Sequence, residues 1–240
     1  MFKNAWQGNW NGRLPVGDQH RRARKVITPS GGIVRGKFPS RKNGRMVHHE
    51  GLLELDAIYL FETASRIKRY REQPATYHYP DGAKLRRYTP DFELVLNTGE
   101  VVIIEVKPLV SLEHEDVRHK IECISNYMRN SGIAFLVLTD GVIRQEPRLS
   151  NLRTIYHQSP RITPTLDAIK IALTQQSQYF PTSLRHANNL LEKTNFNAYS
   201  LILSGDLTFD VSIQMTPETM MSIEKENHHE SFWISQEYGF

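Results

Sequence analysis

The sequence predicts an α/β protein in which helices flank one mixed sheet, followed by a small α+β module. Two observations predict the α/β arrangement in the first part of the chain. Apolar runs of strand length occur up to about residue 139, and segments with helical periodicity lie between them. After Tyr156 the pattern changes, because prolines separate short amphipathic segments. A chain of 240 residues is long enough to form one or two domains.

The elements of the first part follow from their periodicity. Residues 48–62 are apolar around most of a helical circumference, which predicts a buried helix. We expect a short strand near residues 75–79 and a β-hairpin over residues 88–107. A helix from about residue 113 to 130 and a strand over 133–139 complete this part.

The second part is predicted to contain two helices and a hairpin. Amphipathic spacing indicates helices over residues 165–178 and 183–193. Residues 198–203 and 207–213, which flank Gly205, are expected to form the hairpin. Helix, helix and hairpin together outline a winged-helix-like module. This part holds five of the thirty Lys and Arg residues, so docking to a protein partner is more consistent with it than a strong grip on DNA.

We expect three regions along the chain. Residues 1–25 form a basic, partly disordered arm, residues 26–156 the α/β domain, and residues 157–240 the C-terminal module. Residues 1–49 contain eleven Lys or Arg and one acid, Asp18, whereas the whole chain has a formal net charge of only +4. The positive charge is therefore concentrated at one end of the sequence, where phosphate contact is favoured.

The most informative pattern lies in residues 88–108. Asp91 follows a proline at the start of one apolar strand, and the next strand ends in Glu105-Val106-Lys107. Because strand side chains alternate between faces, Glu105 and Lys107 share one face. Two carboxylates and a lysine at the ends of paired strands can hold a divalent metal ion against a phosphodiester. This is the PD…ExK arrangement of metal-dependent nucleases.

A simpler interpretation of so short a pattern is a solvated strand end with an ion pair. Three observations favour the functional interpretation. Asp91 and Glu105 are separated by 13 residues in a strand–turn–strand context, and an acidic helix lies upstream. Residues 101–104 form a continuous apolar run, as expected for a strand buried on both faces. Charges at the end of such a strand are costly unless a cation or partner charge meets them.

The register of the hairpin makes this interpretation testable. A loop of two or four residues centred on Thr98-Gly99 would pair Asp91 with Val106 and place Asp91 on the face opposite to Glu105. A loop with an odd number of residues, or a bulge beside Pro90, would place Asp91 on the face of Glu105 and Lys107. The catalytic interpretation therefore requires an odd loop or a bulge.

A third acid is expected from the upstream helix. Glu50 and Glu54 fall on one stripe of residues 48–62, and Glu54 lies where the helix should touch the core. Such a glutamate favours a metal-centred site, although a pair with Arg66 or Lys68 is the alternative. Either Glu50 or Glu54 could be the acid of the site. Asp56 lies on another stripe and is expected to be structural.

With these motifs in place, the chain resembles the TnsA endonucleases, which act beside DDE-type transposases in heteromeric cut-and-paste transposition. The resemblance covers roughly residues 20–160. It rests on the following segments in order: 44–49, Leu53-Glu54-Leu55, Glu72-Gln73-Pro74, 88–92, 105–108 and 135–140. It implies a restriction-endonuclease-like fold followed by a winged-helix module. It also implies that Glu54, Asp91 and Glu105 bind metal and that Lys107 is the catalytic lysine.

The resemblance further implies a function. The chain is expected to be a Mg²⁺-dependent DNA endonuclease, with Mn²⁺ able to substitute, that cuts the 5′ ends of a transposon. Its expected partners are double-stranded DNA at the transposon ends, the DDE-type transposase TnsB and the ATPase regulator TnsC. Two other classes stay open: a stand-alone restriction-like or junction-resolving nuclease, and a non-catalytic DNA-binding subunit.

The density of positive charge predicts which residues of the arm and its continuation contact DNA phosphates. They are Arg21, Arg22, Arg24, Lys25, Lys37, Arg41, Lys42 and Arg45. For residues 1–20 a solvated tail is at least as consistent with the sequence.

Cysteine usage and hydropathy restrict the cellular setting. The single cysteine, Cys123, excludes a disulfide framework within the chain and any CxxC zinc site. Neither an 18-residue apolar run nor a signal peptide is found, so we expect a cytoplasmic protein without membrane segments. His114 and His119 are five residues apart and do not lie on one line of a helix, so we predict no metal site from that pair.

Overall fold

The protein is described from a computed structural model. It covers residues 20–23, 34–161, 165–192, 194, 196–223, 232 and 234–240. Arg24 and Lys25, which were predicted to contact DNA, lie outside these ranges.

The first part of the chain contains eight strands and four helices among its described residues. The strands are β1 (Arg35–Ser40), β2 (Arg45–Glu50), β3 (Ile67–Glu72), β4 (Tyr77–Asp81), β5 (Lys84–Tyr88), β6 (Phe92–Leu96), β7 (Val101–Lys107) and β8 (Ala134–Thr139). The helices are α1 (Leu52–Thr63), α2 (Glu115–Asn130), α3 (Asp140–Ile143) and α4 (Arg148–Gln158). A 3-10 turn, Leu109–Glu113, connects β7 to α2.

A four-stranded sheet with the order β3-β6-β7-β8 lies at the centre. The β3–β6 and β6–β7 pairs are antiparallel, whereas β7 and β8 are parallel, so the sheet is mixed. A connection that contains α2 joins the two parallel strands, as parallel pairing requires. The predicted α/β class with helices around a mixed sheet is confirmed and is consistent with a restriction-endonuclease-like fold.

Strand β7 is buried on both faces, as its apolar run predicts. Val102, Ile103 and Ile104 are each at most 1% exposed. Val102 and Ile104 join the main core with α1, whereas Ile103 packs into a smaller cluster with Ile124 and Met128 of α2. Because the faces alternate, Glu105 and Lys107 follow Ile103 onto the α2 side of the sheet.

The predicted helix over residues 48–62 is wrong at its start. His48, His49 and Glu50 belong to β2, which pairs with β1, and α1 begins at Leu52. Gly51 separates the two elements with φ 122° and ψ 160°, a conformation that is essentially restricted to glycine. The chain therefore leaves the strand and enters the helix at this residue.

Several strands were not predicted because cations conceal their periodicity. In β3, Ile67, Tyr70 and Glu72 are buried while Lys68 and Arg69 are exposed, and a register shift between Ile67 and Arg69 interrupts the alternation. Strands β4 and β5 form a separate hairpin that packs against α2, so the strand predicted near residues 75–79 exists but lies outside the central sheet.

The C-terminal part contains short helices and a small antiparallel sheet, and the expected winged-helix-like module stays a prediction. Its described elements are α5 (Leu166–Gln176), β9 (Thr182–Ser183), α6 (Leu184–Leu191), α7 (Ala198–Ser204), β10 (Leu207–Thr208) and β11 (Met220–Ile223). The three short strands form an antiparallel sheet in the order β10-β11-β9, in which the last strand is central. The predicted helices over residues 165–178 and 183–193 correspond to α5 and α6.

The predicted hairpin over residues 198–203 and 207–213 is wrong. Residues 198–204 form α7, which begins with a capping box between Asn197 and Ser200 and ends at the left-handed Gly205. The apolar residues between these caps fit a strand or a helix equally well, and the caps are the local signal that favours the helix. Gly205 also permits a close approach, because a Cβ atom there would lie 3.1 Å from Ser65 Cβ.

One hydrophobic core runs through both parts of the chain. Ile155, Leu201 and Met221 belong to the same cluster as α1 and the sheet, and α7 contacts α1 and α4. The buried Asn151 of α4 donates to the carbonyl oxygens of Val211 (3.1 Å) and Ile213 (2.7 Å). A division near residue 156 thus stays a prediction, and cutting the chain there would expose apolar surface.

Among the described helices, none is both long and apolar enough to cross a membrane.

Glu62 of α1 joins three elements through one buried carboxylate. It is 1% exposed and accepts hydrogen bonds from Ser40 Oγ (2.8 Å) and Tyr70 Oη (2.7 Å). The backbone N–H groups of Arg41 (2.6 Å) and Lys42 (3.0 Å) donate to its other oxygen. Glu62 therefore connects the β1–β2 turn to α1 and β3.

Replacement of Glu62 by alanine is expected to lower the free energy of unfolding by about 3 kcal/mol, since several buried donors would lose their acceptor. Chemical denaturation followed by circular dichroism measures this effect. Glu100→Ala, in the exposed β6–β7 turn, serves as the control and should change stability by less than about 0.5 kcal/mol. Equal stability of the two variants would contradict the assigned role of Glu62.

Candidate active site

The register of the β6–β7 hairpin decides which side chains meet. Phe92 pairs with Ile104 and Val95 with Val101. Leu96 N–H also donates to the Glu100 carbonyl oxygen (2.9 Å), which leaves the three residues 97–99 as the loop. The predicted odd loop is confirmed. Continuing the register by one step places Asp91 opposite Glu105, on the same face of the sheet.

Asp91 is held at the end of β6 by its neighbouring strand. It is 8% exposed, and its Oδ2 atom accepts a hydrogen bond from Val106 N–H at 2.8 Å. Its backbone carbonyl oxygen accepts from Gln73 N–H (2.8 Å). These contacts fix the carboxylate beside Glu105 and leave little room for a change of position.

Glu105 is more deeply buried and has two partners of its own. It is 3% exposed, its Oε1 atom lies 2.8 Å from Lys107 Nζ, and its Oε2 atom accepts from the Tyr88 hydroxyl at 2.7 Å. Burial and the negative charge of Glu105 raise the pKa of Tyr88, so the phenol stays protonated and acts as a donor. Tyr88 lay within the motif that the sequence indicated, but its role as a partner of Glu105 depends on the pairing of β4 with β5.

Glu54, in the first turn of α1, is the third carboxylate of the candidate site. We call Glu54, Asp91 and Glu105 together the acidic group. Burial, followed by the charge of Asp91, raises the pKa of Glu54 to about 8. Glu54 Oε2 accepts a hydrogen bond from Glu50 N–H (2.7 Å), whereas the Glu50 carboxylate lies 3.5 Å from Arg35 Nε. The sequence did not decide whether Glu50 or Glu54 is the acid of the site. In the structure, the charge of Glu54 interacts with those of Asp91 and Lys107.

Lys107 is the cation among these acids. Burial lowers its pKa, but the negative charges of Glu105, Asp91 and Glu54 outweigh this effect and raise it. The side chain is 30% exposed, so the ammonium group can reach a ligand at the surface. Lys107 is therefore a permanent positive charge at neutral pH, suited to neutralise an anion rather than to accept a proton.

The donor chemistry of this group fits a hard divalent cation. Mg²⁺ prefers carboxylate oxygens, and the charges of three carboxylates, those of Glu54, Asp91 and Glu105, act on the ammonium group of Lys107. The three groups are not drawn tightly together, since the described residues contain one trio whose potential ligand atoms all lie within 4.8 Å of one another, and that trio is Asp81, His119 and Cys123. Both oxygens of Glu105 already have partners, so a cation would compete with Lys107 for one of them.

Asp56 has the structural role that its position on the helix predicted. It is 2% exposed and forms ion pairs with Arg144, at 2.8 Å, and with Arg153. These pairs connect α1 to the segment after β8 and to α4.

Two of the residues that were predicted to contact DNA form ion pairs with a buried acid, and their contact with DNA stays a prediction. Glu72, 1% exposed, lies 3.0 Å from Arg22 Nη1 and 2.7 Å from Arg45 Nη2. His20 Nε2 also contacts the Glu72 backbone oxygen at 2.5 Å. This cluster attaches residues 20–23 to the end of β3. The carboxylate of Glu72 also neutralises part of the positive charge of Arg22 and Arg45.

Arg41 and Lys42 are also engaged within the protein. Arg41 donates to the backbone oxygens of Tyr156 (2.7 Å), Ser159 (2.9 Å) and Pro160 (2.9 Å). Lys42 Nζ donates to carbonyl oxygens at the end of α1, including Phe61 (2.9 Å), and to Ile67 (2.7 Å). A cation at a helix C-terminus satisfies carbonyl groups that lack a partner in the helix.

Arg21 and Lys37 remain candidates for DNA contact. Both are exposed, as are Lys68, Lys84 and Arg87. Sequence reasoning could not separate the two sets of cations, because a run of Lys and Arg does not show which side chains meet a buried acid or a helix end.

Comparison with known proteins agrees with the geometry. Residues 64–140 match the family model described as "TnsA-like endonuclease N terminal". The match covers about a third of the chain and includes Asp91, Glu105 and Lys107, but it begins after Glu54. No curated protein matches the chain. The match confirms that residues 64–140 resemble the TnsA-like endonucleases, as the sequence motifs indicated.

Glu54→Gln is expected to stabilise the metal-free protein at pH 8 by at least about 1 kcal/mol. The folded state holds a proton on Glu54 that the unfolded chain releases near its ordinary pKa, so wild-type stability falls as pH rises from about 5 to about 8. The gain should be small at pH 5 and fully developed above pH 8. Thermal unfolding in EDTA between pH 5 and 9 tests this, and a gain independent of pH would contradict the coupling.

Lys37→Gln is expected to lower the magnitude of the slope of log Kobs for DNA against log salt by about 1, because one phosphate contact would be lost. Arg41→Gln is the matched variant, since its side chain is already used within the protein. It should leave the slope unchanged and lower the unfolding free energy by about 1–3 kcal/mol. Fluorescence anisotropy at several salt concentrations distinguishes them. An unchanged slope for Lys37→Gln would exclude phosphate contact.

Proposed function

We propose that this chain is the metal-dependent DNA endonuclease subunit of a heteromeric transposase, which cleaves the 5′ ends of the transposon during cut-and-paste transposition. One observation carries the proposal. Within the segment that matches the TnsA-like endonuclease model, Asp91 and Glu105 lie opposite each other on one face, with Lys107 bridging to Glu105. Glu54 approaches the same charges from α1.

Each member of the group has a distinct task in the proposed reaction. Glu54, Asp91 and Glu105 would hold Mg²⁺, or Mn²⁺ in its place, and a bound ion of this kind polarises the scissile phosphate and lowers the pKa of a water ligand. Lys107 places its ammonium group beside the acids, where it can neutralise the charge that develops on the phosphate. Tyr88 orients Glu105 through its hydroxyl group. The expected products carry 3′-hydroxyl and 5′-phosphate ends.

The exposed cations around the site support a duplex DNA substrate. Lys84 and Arg87 lie on β5, the strand that ends at Tyr88, and are exposed. Lys37 is exposed on β1. Together with Arg21 they offer positive charge on elements adjoining the acidic group, as phosphate contact requires.

The packing of the C-terminal module supports docking to protein rather than reading of DNA. In a helix-turn-helix, the second helix is the one that enters the major groove. Here α7 occupies that place, and its residues Ala198, Leu201 and Ile202 are buried while the helix contacts α1 and α4. A helix packed in this way is not available to a DNA groove, so the remaining surface of the module is where the transposase TnsB or the regulator TnsC would dock.

A nuclease with this acid set would endanger its host if it cut DNA on encounter. We therefore expect the isolated chain to be nearly inactive and cleavage to depend on assembly with the transposase. Plasmid nicking by the purified chain alone would favour the stand-alone nuclease. Absence of nicking with transposase, ATPase regulator and Mg²⁺ all present would favour a non-catalytic DNA-binding subunit.

Asp91→Asn and Lys107→Ala are each expected to reduce 5′-end cleavage by at least about 100-fold in the complete mixture. Asparagine keeps an acceptor for Val106 N–H, so the strand end should be preserved while the charge is lost. The measurement is strand-specific nicking of an end-labelled transposon-end duplex, together with circular dichroism to verify folding.

Glu100→Gln, in the exposed turn of the same hairpin, is the matched control and should cleave at the wild-type rate. Wild-type cleavage by either Asp91→Asn or Lys107→Ala would show that the acidic group is not the active site. Loss of activity in the control as well would indicate a defect in assembly instead.

A further inference from the structure

A second cluster of potential metal ligands lies away from the acidic group, where the β4–β5 hairpin meets α2. Asp81 is the last residue of β4, at the tip of the hairpin. His119 and Cys123 are four residues apart on α2 and therefore lie on one line of the helix. The hairpin brings Asp81 to this line across a sequence distance of 38 residues.

The three donor atoms converge on one point. His119 Nε2 lies 2.9 Å from Asp81 Oδ1 and 3.6 Å from Cys123 Sγ, and all three atoms are within 4.8 Å of one another. In a tetrahedral zinc site, ligand atoms are roughly 3.3–3.8 Å apart, given metal–ligand distances of about 2.0–2.3 Å. Small side-chain rotations would therefore bring the three atoms to the spacing of zinc ligands.

The arrangement does not suit a nucleophile–base–acid relay. In such a relay the acid and the nucleophile use different nitrogens of the histidine ring. Here the carboxylate and the thiol both approach Nε2. Convergence of three different donors on one point is the geometry of a shared cation instead.

We propose that Asp81, His119 and Cys123 form a Zn²⁺ site that is separate from the acidic group. The nitrogen, sulfur and oxygen donors suit a borderline-soft ion such as Zn²⁺, whereas Mg²⁺ prefers oxygen alone. Asp81 is pre-oriented, because its other oxygen, Oδ2, accepts from Arg86 Nε at 3.0 Å. The His119 side chain is 60% exposed, which provides an entry path and space for a water molecule as the fourth ligand.

The site would attach the hairpin to α2. Cys123 packs against a small cluster in which Tyr79, Tyr88, Ile124 and Met128 are buried. Tyr88, at the end of the same hairpin, donates to Glu105. A cation at the hairpin tip would thus hold β5 against the helix and stabilise the position of the tyrosine that orients Glu105.

The test uses the full chain, reduced and stripped of metal, titrated with Co²⁺ as a spectroscopic substitute for Zn²⁺. We expect thiolate-to-cobalt charge-transfer absorption in the near ultraviolet, which reaches its maximum when one Co²⁺ occupies the Cys123 site and is bleached by Zn²⁺. Zn²⁺ should also raise the midpoint of thermal unfolding by about 3 °C or more. Cys123→Ser should lose the absorption and the shift, and Asp81→Asn and His119→Gln should each weaken Co²⁺ binding at least tenfold.

Two matched controls distinguish this site from metal binding elsewhere on the chain. His114→Gln, at the start of the same helix, should give the same thiolate-to-cobalt band as the wild type, and so should Glu105→Gln in the acidic group. The absence of a thiolate band, or an equally tight band in His119→Gln and Asp81→Asn, would overturn the proposal, since the latter means binding by a lone thiol. A Zn²⁺-induced shift that survives in Cys123→Ser and disappears in Glu105→Gln would assign zinc to the acidic group and also overturn it.

Discussion

The candidate active site depends on the register of the β6–β7 hairpin. Successive side chains of a strand point to opposite faces of the sheet. A loop one residue shorter or longer would therefore place Asp91 on the face opposite to Glu105. The three-residue loop places Asp91 opposite Glu105, and the Val106 N–H group then holds the Asp91 carboxylate. The other members of the site contact this pair. Tyr88 donates a hydrogen bond to one oxygen of Glu105, and Lys107 forms an ion pair with the other. Glu54 of α1 interacts with the charge of Asp91.

Like charges brought together at a buried strand end store an electrostatic cost. Burial, followed by the negative charge of Asp91, raises the pKa of Glu54, and the positive charge of Lys107 opposes this effect. Folding tolerates the arrangement because the carboxylates are attached to elements with strong apolar burial, namely β7 and α1. An arrangement of this kind lowers stability as long as no cation offsets the negative charge.

Buried carboxylates also have structural roles elsewhere in the molecule. Glu62 and Glu72 are buried acids too, but each is surrounded by donors or arginines rather than by other carboxylates. They connect the β1–β2 hairpin and residues 20–23 to the core. The helix in the place of a recognition helix is likewise used for packing, since α7 lies against α1 and α4. Basic segments and a winged-helix outline therefore do not by themselves identify the surface that contacts DNA.

The sequence by itself determined the elements with strong local signals. The apolar run before Glu105 predicted β7, and helical spacing predicted α2 and the inward position of Glu54. The sequence also placed Asp91 and Glu105 at the ends of neighbouring strands, but it left open whether the two side chains share a face, and the structure decided this through the hairpin register. The sequence does not predict β3, because its cations conceal the alternation, or β5, because its first four residues are all exposed. The apolar residues of α7 fit a strand as well as a helix, and only the caps at its two ends favour the helix. Only the tertiary structure decided which cations face buried acids, that Tyr88 orients Glu105, and that Asp81 meets His119 and Cys123. These contacts join residues distant in sequence, and no local pattern records where a hairpin packs.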